Sequence, residues 1–80
     1  MDDDLDFIIE SLNELKEDSS VPKNVKTKIT EIVEILNGGE DKSIRVDKVM
    51  HIFEQLNDDS NMDSFTRTQL LKIVSMLESI

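Results

Sequence analysis

Apolar residues recur at steps of three and four in four separate segments of the chain. They are Leu5, Ile8, Ile9, Leu12 and Leu15; Val25, Ile29, Ile32, Val33 and Leu36; Val46, Val49, Met50, Phe53 and Leu56; and Leu70, Ile73, Val74 and Leu77. At about 100° per residue, each set forms one apolar stripe along a helix. No segment alternates apolar and polar residues as a half-buried strand does. The sequence therefore predicts four helices, near residues 3–17, 22–37, 44–57 and 63–79, and no sheet.

Turn-forming residues separate the four segments. Pro22 follows the turn at residues 18–21 and suits the start of a helix, because its ring disrupts a helix interior. Gly38-Gly39 follows the second segment, where we expect a glycine in the left-handed conformation that ends many helices. A run of Asn, Asp and Ser residues follows the third segment, and Asp63 or Ser64 is placed to cap the fourth helix.

The second half of the chain repeats the first with a shift of 41 residues. Between unit 5–37 and unit 46–78, 8 of 33 aligned pairs are identical, and most other stripe positions stay apolar. Each unit is a helical hairpin in the size class of HEAT and armadillo repeats. Two hairpins are fewer than an open solenoid needs, so we predict one all-α domain over residues 1–80, closed as a four-helix bundle. The alternative is that the hairpins stack side by side and bury their remaining surface in a dimer.

Each repeat unit also carries an acidic residue in its turn and a cation eight residues later, at the start of the second helix. These pairs are Asp18 with Lys26 and Asp59 with Arg67. A carboxylate in that place can reach a cation or a free backbone N–H at the helix start. We therefore predict that the pairs hold the two hairpin turns in place and have a structural role.

Several short motifs carry a resemblance to known proteins. They are Leu12-Asn13-Glu14-Leu15, Asp18 followed by Val21-Pro22-Lys23-Asn24, Thr66-Arg67-Thr68 and Leu77-Glu78-Ser79-Ile80. With these motifs the chain resembles a family of small, uncharacterised archaeal proteins of about this length. The stretch from Leu12 to Leu36, with its turn Asp18 and its cation Lys26, also looks like a degenerate HEAT unit. The resemblance implies an all-helical, cytoplasmic protein of unassigned function, and it supplies no catalytic or binding residues.

Composition and charge narrow the possible functions. The chain has 18 Asp and Glu against 9 Lys and Arg, a net charge of −9, and no Cys, which excludes a disulfide scaffold or a cysteine nucleophile. No apolar run approaches the roughly 20 residues that cross a bilayer. The first residues lack the basic stretch of a signal peptide, so we expect a cytoplasmic protein without membrane association. The acidic balance also argues against nucleic-acid binding, which depends on neutralising phosphates.

Catalysis and metal binding find little support in the sequence. His51 is the single histidine, lies off its helix stripe and has no predicted nucleophile beside it, so we predict no enzymatic activity and no cofactor. A calcium loop starting at Asn57 fails because Met62 and Thr68 stand where Gly and Glu are needed, and we predict no metal site. A weaker alternative is divalent-cation binding at an acidic tip of two adjacent turns. Its residues would be Glu17, Asp18, Asp58 and Asp59.

The first helix carries a continuous row of acidic residues opposite its apolar stripe. We call this row the acidic ridge; it consists of Asp3, Asp6, Glu10, Glu14 and Glu17. Like charges four residues apart destabilise a helix by about 0.2–0.5 kcal/mol per pair. The ridge is therefore a candidate surface for steering a basic protein partner. The alternative is a solvated face, partly neutralised by Lys23 and Lys26 across the hairpin.

Among the apolar residues that lie off the predicted stripes or at their edges are Phe7, Ile52 and Leu71. We predict that they form an exposed patch that a partner or a second copy covers, the alternative being a widened core stripe. With Asp6, Glu10 and Glu14 as steering residues, they favour a small acidic adaptor that binds a basic protein. A self-associating structural protein, possible as a homodimer, and the divalent-cation module are the alternatives.

Overall fold

The computed structural model describes residues 3–58 and 62–79, and this part of the chain contains four α-helices. They are α1 (Asp3–Glu17), α2 (Lys23–Leu36), α3 (Lys42–Asn57) and α4 (Ser64–Glu78). The four predicted helices are confirmed, with every end within two residues of the prediction. The largest difference is the start of α3, which begins at Lys42. No strand occurs in the described residues.

The helices close into a ring. α1 packs against α2, α2 against α3, α3 against α4, and α4 returns to α1. A side-by-side stack of hairpins would place α1 against α3, and the described residues show no such packing. Because short turns connect successive helices, neighbours in the ring are antiparallel, which confirms the predicted four-helix bundle. The Cα radius of gyration is 11.8 Å, close to the roughly 12 Å expected for a compact chain of this length.

The core is built from the four predicted stripes, and burial follows the shift of 41 residues. Seven pairs of apolar residues related by this shift are buried in both members. They are Ile8 and Val49, Leu12 and Phe53, Leu15 and Leu56, Val21 and Met62, Ile29 and Leu70, Ile32 and Ile73, and Leu36 and Leu77. Val21 and Met62 lie in turns, so the core extends beyond the helical stripes to the turn end of each hairpin.

Hydrogen bonds from side chains and backbone close the turns. The Asp18 carboxylate accepts bonds from the Ser20 backbone N–H, at 2.9 Å, and from the Ser20 hydroxyl, at 2.7 Å. Pro22 then stands at the N-cap of α2, as its fixed φ allows. Asp59, the counterpart of Asp18, lies outside the described residues. In the described residues Asp18 thus bonds within its own turn, to Ser20, and it forms no ion pair with Lys26, the cation that the sequence pattern paired with it.

The prediction of a left-handed glycine after α2 is wrong. Neither Gly38 nor Gly39 has a positive φ. Gly38 instead donates its N–H to the Ile35 carbonyl at 3.0 Å. A Cβ on Gly38 would lie 3.1 Å from that carbonyl oxygen. The glycine is therefore suited to a close backbone approach and not to an unusual dihedral angle.

Two arginines tie helix ends to the preceding helices. Arg45 donates to the carbonyl of Leu36 at 2.6 Å, and Arg67 donates to the carbonyl of Asn57 at 3.0 Å. The last carbonyls of a helix have no partner within it and lie at its negative end, so a cation there stabilises the helix.

Candidate protein-interaction groove

An open groove of about 840 Å³ lies between α1 and α4. On the α1 side it is lined by Phe7, Ser11, Glu14, Leu15 and, in the following turn, Asp18. On the α4 side it is lined by Phe65, Thr68, Gln69, Leu71, Lys72, Ile73, Ser75 and Met76. Small side chains lie between the large apolar ones on both helices, so the floor of the groove is accessible from outside.

Exposed large apolar residues are concentrated in this groove. Phe7 is 52 % exposed, Phe65 51 % and Leu71 50 %. Within the described parts of the chain, Ile44 is the remaining exposed residue of this kind, at 43 %, and it lies on α3 outside the groove. Apolar residues scattered singly over a surface are ordinary, whereas a cluster in a concave site indicates binding. The predicted exposure of Phe7 and Leu71 is confirmed, and the structure places them in one site.

The prediction that Ile52 belongs to this exposed patch is wrong. Its side chain is buried, at 8 % exposure, and it packs in the core beside Phe53. The apolar stripe of α3 is wider than the sequence pattern indicated, and Ile52 borders a hollow that Ile35 of α2 also lines. The widened core stripe, which the sequence left open as an alternative, is therefore correct for Ile52.

Phe65 is a groove residue that the sequence interpretation missed. It lies in the first turn of α4, ahead of the stripe that begins at Leu70. At about 100° per residue it lies roughly 120° from the centre of that stripe. The off-stripe criterion that selected Phe7 and Leu71 would have selected Phe65 as well.

The groove exists on one side of the bundle because the two repeat units differ at a few positions. The interface between α3 and α2 corresponds to the interface between α1 and α4 by the shift of 41 residues. There Ile52 corresponds to Ser11, and its larger side chain is buried where the serine leaves space. The exposed apolar residues of the groove have polar counterparts on this second face: Lys48 for Phe7, Asn24 for Phe65 and Thr30 for Leu71.

The acidic ridge borders the groove along α1. Asp6, Glu10, Glu14 and Glu17 are all exposed, and Glu14 lines the groove directly. Asp6 lies further away, in a small hollow with Arg45 beside the turn between α2 and α3. Of the predicted site residues, the structure thus brings together Phe7, Glu14 and Leu71, with Glu10 between Asp6 and Glu14 along the ridge.

The alternative interpretation of the ridge was a solvated face partly neutralised by Lys23 and Lys26. Among the side chains that the structure describes, no ion pair joins Lys23 or Lys26 to the ridge residues from Asp6 to Glu17; the Asp3 side chain is not among them. Ion pairs in this part of the chain instead join Lys28 with Glu31 at 3.7 Å and Lys48 with Glu40 at 2.6 Å. The exposed carboxylates from Asp6 to Glu17 are therefore accessible to a partner; solvent and salt screen them, and Arg45 lies near Asp6.

Charge differs between the two walls of the groove. On the α1 side, the two hydrogen bonds from Ser20 hold the pKa of the Asp18 carboxyl below its ordinary value of 3.8, and the charge of Lys26 acts in the same direction. Asp18 is therefore ionised at neutral pH, next to Glu14. On the α4 side, Lys72 supplies a cation. The groove has an acidic wall and a wall with a positive charge.

The described residues were also considered for catalytic and metal-binding sites. His51 is exposed and lines a smaller hollow of about 440 Å³ with Lys48 and Glu54 on the opposite side of the bundle. In the part of the chain that the structure describes, no three His, Asp or Glu residues cluster as metal ligands. The acidic tip includes Asp59, which lies outside that part. None of the helices described is both long and apolar enough to span a bilayer.

Comparison with known proteins identifies relatives over nearly the whole chain. A UPF0147 protein of Methanothermobacter thermautotrophicus is 38 % identical over 74 residues, which are 91 % of this chain and 72 % of the relative. A UPF0147 protein of Methanocaldococcus jannaschii is 36 % identical over 70 residues, 86 % of this chain and 75 % of the relative.

Solved structures share the fold. A crystal structure of a protein of unknown function matches with a TM-score of 0.91 and 33 % identity, over 98 % of this chain and 90 % of that one. A crystal structure of a UPF0147 protein from Thermoplasma acidophilum matches with a TM-score of 0.88 and 29 % identity, over 92 % of this chain and 88 % of that one. The model of the uncharacterised protein family UPF0147 spans residues 1–80, and the chain belongs to this family.

Proposed function

We propose that this protein is an interaction module that binds a basic and apolar segment of another protein in the groove between α1 and α4. One observation carries the proposal: three half-exposed apolar side chains, Phe7, Phe65 and Leu71, converge in a single groove beside the acidic ridge. Apolar anchors supply binding energy, and a charged border supplies steering and partner selection.

The exposed apolar side chains of the groove supply part of the free energy of binding, and other contacts with the partner must supply the rest, because association itself costs about 4 kcal/mol or more. Burying a whole Leu or Phe side chain stabilises by about 1.5–3 kcal/mol, so covering the exposed half of one contributes about 1 kcal/mol. Three such residues contribute roughly 3 kcal/mol before the cost of association. The ridge adds little to this energy in water, but it raises the rate at which a cationic partner arrives.

The proposal assigns a binding role and no catalytic step. The groove is lined by apolar, hydroxyl, amide and carboxylate side chains with one lysine, and the single histidine, His51, lies on another face. A general base needs a nucleophile or substrate proton within hydrogen-bond reach. The exposed carboxylates of α1 are better suited to attracting cations than to acid–base chemistry, because solvent surrounds them.

Partner capture from native lysate tests the proposal. The parent protein is compared with a groove variant, Phe7→Ser with Phe65→Ser and Leu71→Ser, and with the control Ile44→Ser. Ile44 is a matched control because it is an exposed apolar residue outside the groove. We expect the groove variant to lose its partner by at least about tenfold, as removal of interface anchors does, while the control keeps it.

A ridge variant separates steering from anchoring. Charge reversal of Asp6, Glu10 and Glu14 to lysine is expected to slow association with a basic partner and reduce its capture, while the apolar anchors stay in place. Equal capture by the parent, groove and ridge proteins would refute the proposed function. Recovery of this chain alone from every sample, together with a dimer that the groove variant abolishes, would show self-association instead.

A further inference from the structure

We infer that the occupant of the groove is an amphipathic α-helix of the partner protein, with its apolar seam on the groove floor and its cationic flank over α1. This inference rests on the proposed function and specifies the form of the ligand. It follows from the backbone chemistry of the groove walls, from their length and from the unequal charge of the two sides.

The walls of the groove favour a helix over an extended segment. Both walls are α-helices, whose central backbone N–H and C=O groups already bond within the helix. An extended peptide needs main-chain partners such as the free edge of a sheet, and burying it here would leave its own backbone groups unpaired. A helix satisfies its backbone internally and can be buried through its side chains alone.

The dimensions of the groove match a helix of several turns. α1 and α4 each contain 15 residues, which corresponds to about 22 Å at 1.5 Å per residue. The apolar anchors Phe65 and Leu71 and the half-buried Met76 follow one another along α4, over roughly 16 Å. A helix with apolar residues at positions i, i+3 or i+4, and i+7 presents a seam on this scale.

Small residues allow such a helix to approach closely. Ser11 lines the groove near the middle of α1, and Ser75 lines it from near the C-terminal end of α4. Thr68 bonds its hydroxyl to the Ser64 carbonyl at 2.8 Å, which leaves its methyl group as the free part of the side chain. Side chains of a docked helix can enter the gaps beside these small residues, as ridges enter grooves in helix packing.

Charge fixes which way the helix is turned about its axis. On the α1 side, Glu14 and Asp18 line the groove, and Glu10 and Glu17 lie beyond them on the ridge. On the α4 side, Lys72 is the lining cation. Opposite charges across an interface are favourable and like charges disfavour a wrong partner. The flank of the partner helix over α1 therefore carries Lys or Arg, and the flank over α4 is neutral or acidic.

The same charge disfavours a second copy of this chain as the occupant. Each copy has a net charge of −9, and its acidic ridge borders the groove. Two grooves facing each other would bring two acidic ridges together, with Lys72 as the single lining cation of each copy. A helix of a different, basic protein avoids this repulsion.

A displayed library of random peptides tests the inference, because the selection itself finds the sequences that bind. The probes are peptides of about 18 residues, long enough to span the groove as a helix. They are selected on the full chain and counter-selected on a Ser11→Ile variant, which fills the groove as Ile52 fills the opposite interface. Individual winners are then measured by fluorescence anisotropy against the parent, Ser11→Ile, Leu71→Ser and Ile44→Ser proteins.

We expect the selected peptides to have apolar residues at helical spacing and a cationic flank. Their affinity should fall at least about tenfold with Leu71→Ser or Ser11→Ile, stay unchanged with Ile44→Ser and decrease as salt increases.

Groove-dependent peptides with strand-like alternation, or with a neutral or acidic flank over α1, would overturn the helix inference and leave the proposed function standing. Absence of groove-dependent peptides would overturn both. A dimer of the parent protein that Leu71→Ser abolishes would show that a second copy is the occupant.

Discussion

At the residue scale, Thr66 is a buried polar side chain in the second repeat unit, at a position where the first unit has an apolar one. It is fully buried in α4, and its hydroxyl oxygen has no hydrogen-bond partner. The residue 41 positions earlier is Val25, an apolar side chain of nearly the same shape, also fully buried. A buried hydroxyl without a partner costs about 1–3 kcal/mol. The second repeat unit therefore carries a polar group where the first carries a methyl group.

We predict that Thr66→Val stabilises the protein by about 1 kcal/mol, because it removes the buried unpaired hydroxyl and keeps the volume of the side chain. Urea denaturation of both proteins measures the free energy of unfolding. Thr68→Val is the matched control, since the exposed Thr68 hydroxyl has its partner in the Ser64 carbonyl; we expect a change within about 0.5 kcal/mol there. A loss of stability in Thr66→Val would contradict this interpretation of the site.

The Asp18 turn gives a second prediction at this scale. Hydrogen bonds from Ser20 lower the pKa of the Asp18 carboxyl below 3.8 in the folded protein. Since the folded pKa is lower than the unfolded one, the ionised group stabilises the fold above the unfolded value, and this contribution is lost as pH falls through the folded value. NMR titration of the carboxyl carbon should give a midpoint below 3.8, and Ser20→Ala should raise that midpoint. A midpoint at or above 3.8 in the parent would show that the turn bonds do not form in solution.

At the scale of single helices, the spacing of apolar residues predicts where each helix lies, because a helix that packs on a core needs apolar residues every three or four positions. Every helix buries most of its predicted stripe, and the helix boundaries lie near Pro22, Gly38 and the polar turns. Burial of residues at stripe edges was harder to predict. Ile52 and Leu71 have the same apolar character beside a stripe, yet the first is buried and the second half exposed. The difference depends on how far each helix is rotated about its axis against its neighbours, which one helix pattern does not determine.

Two single substitutions, Ile52→Ser and Ser11→Ile, test whether the α2–α3 interface is more tightly packed than the α1–α4 interface. We expect Ile52→Ser to destabilise the protein by about 2–4 kcal/mol, because it removes a buried side chain and introduces a hydroxyl into the core. Ser11→Ile fills an open groove, so we expect no loss of stability beyond about 0.5 kcal/mol. Thermal and urea denaturation of the two variants check the contrast. Equal destabilisation by both changes would mean that the α1–α4 interface is already as tightly packed as the α2–α3 interface.

At the scale of the whole molecule, two hairpins related in sequence form a bundle whose apolar groove lies on one side, between α1 and α4. Ring closure was predictable, since four stripes on two hairpins are buried most simply by facing one another. The groove was not predictable in full, because it depends on the pairing of α1 with α4, helices from opposite ends of the chain. That pairing places Phe65 beside residues of α1 and separates Ile52 from them. The net charge of −9 follows from composition alone, and it is the reason to expect a basic partner.

Site-specific photo-crosslinking in living cells tests the interaction groove most directly. Benzoylphenylalanine is incorporated in place of Phe65, inside the groove, or in place of Ile44, an equally accessible apolar position outside it. Irradiation is followed by mass spectrometry of the crosslinked products. The proposed groove predicts a crosslink from position 65 to a discrete basic protein and none to that protein from position 44. The same product from both positions, or a product from position 44 alone, would contradict it.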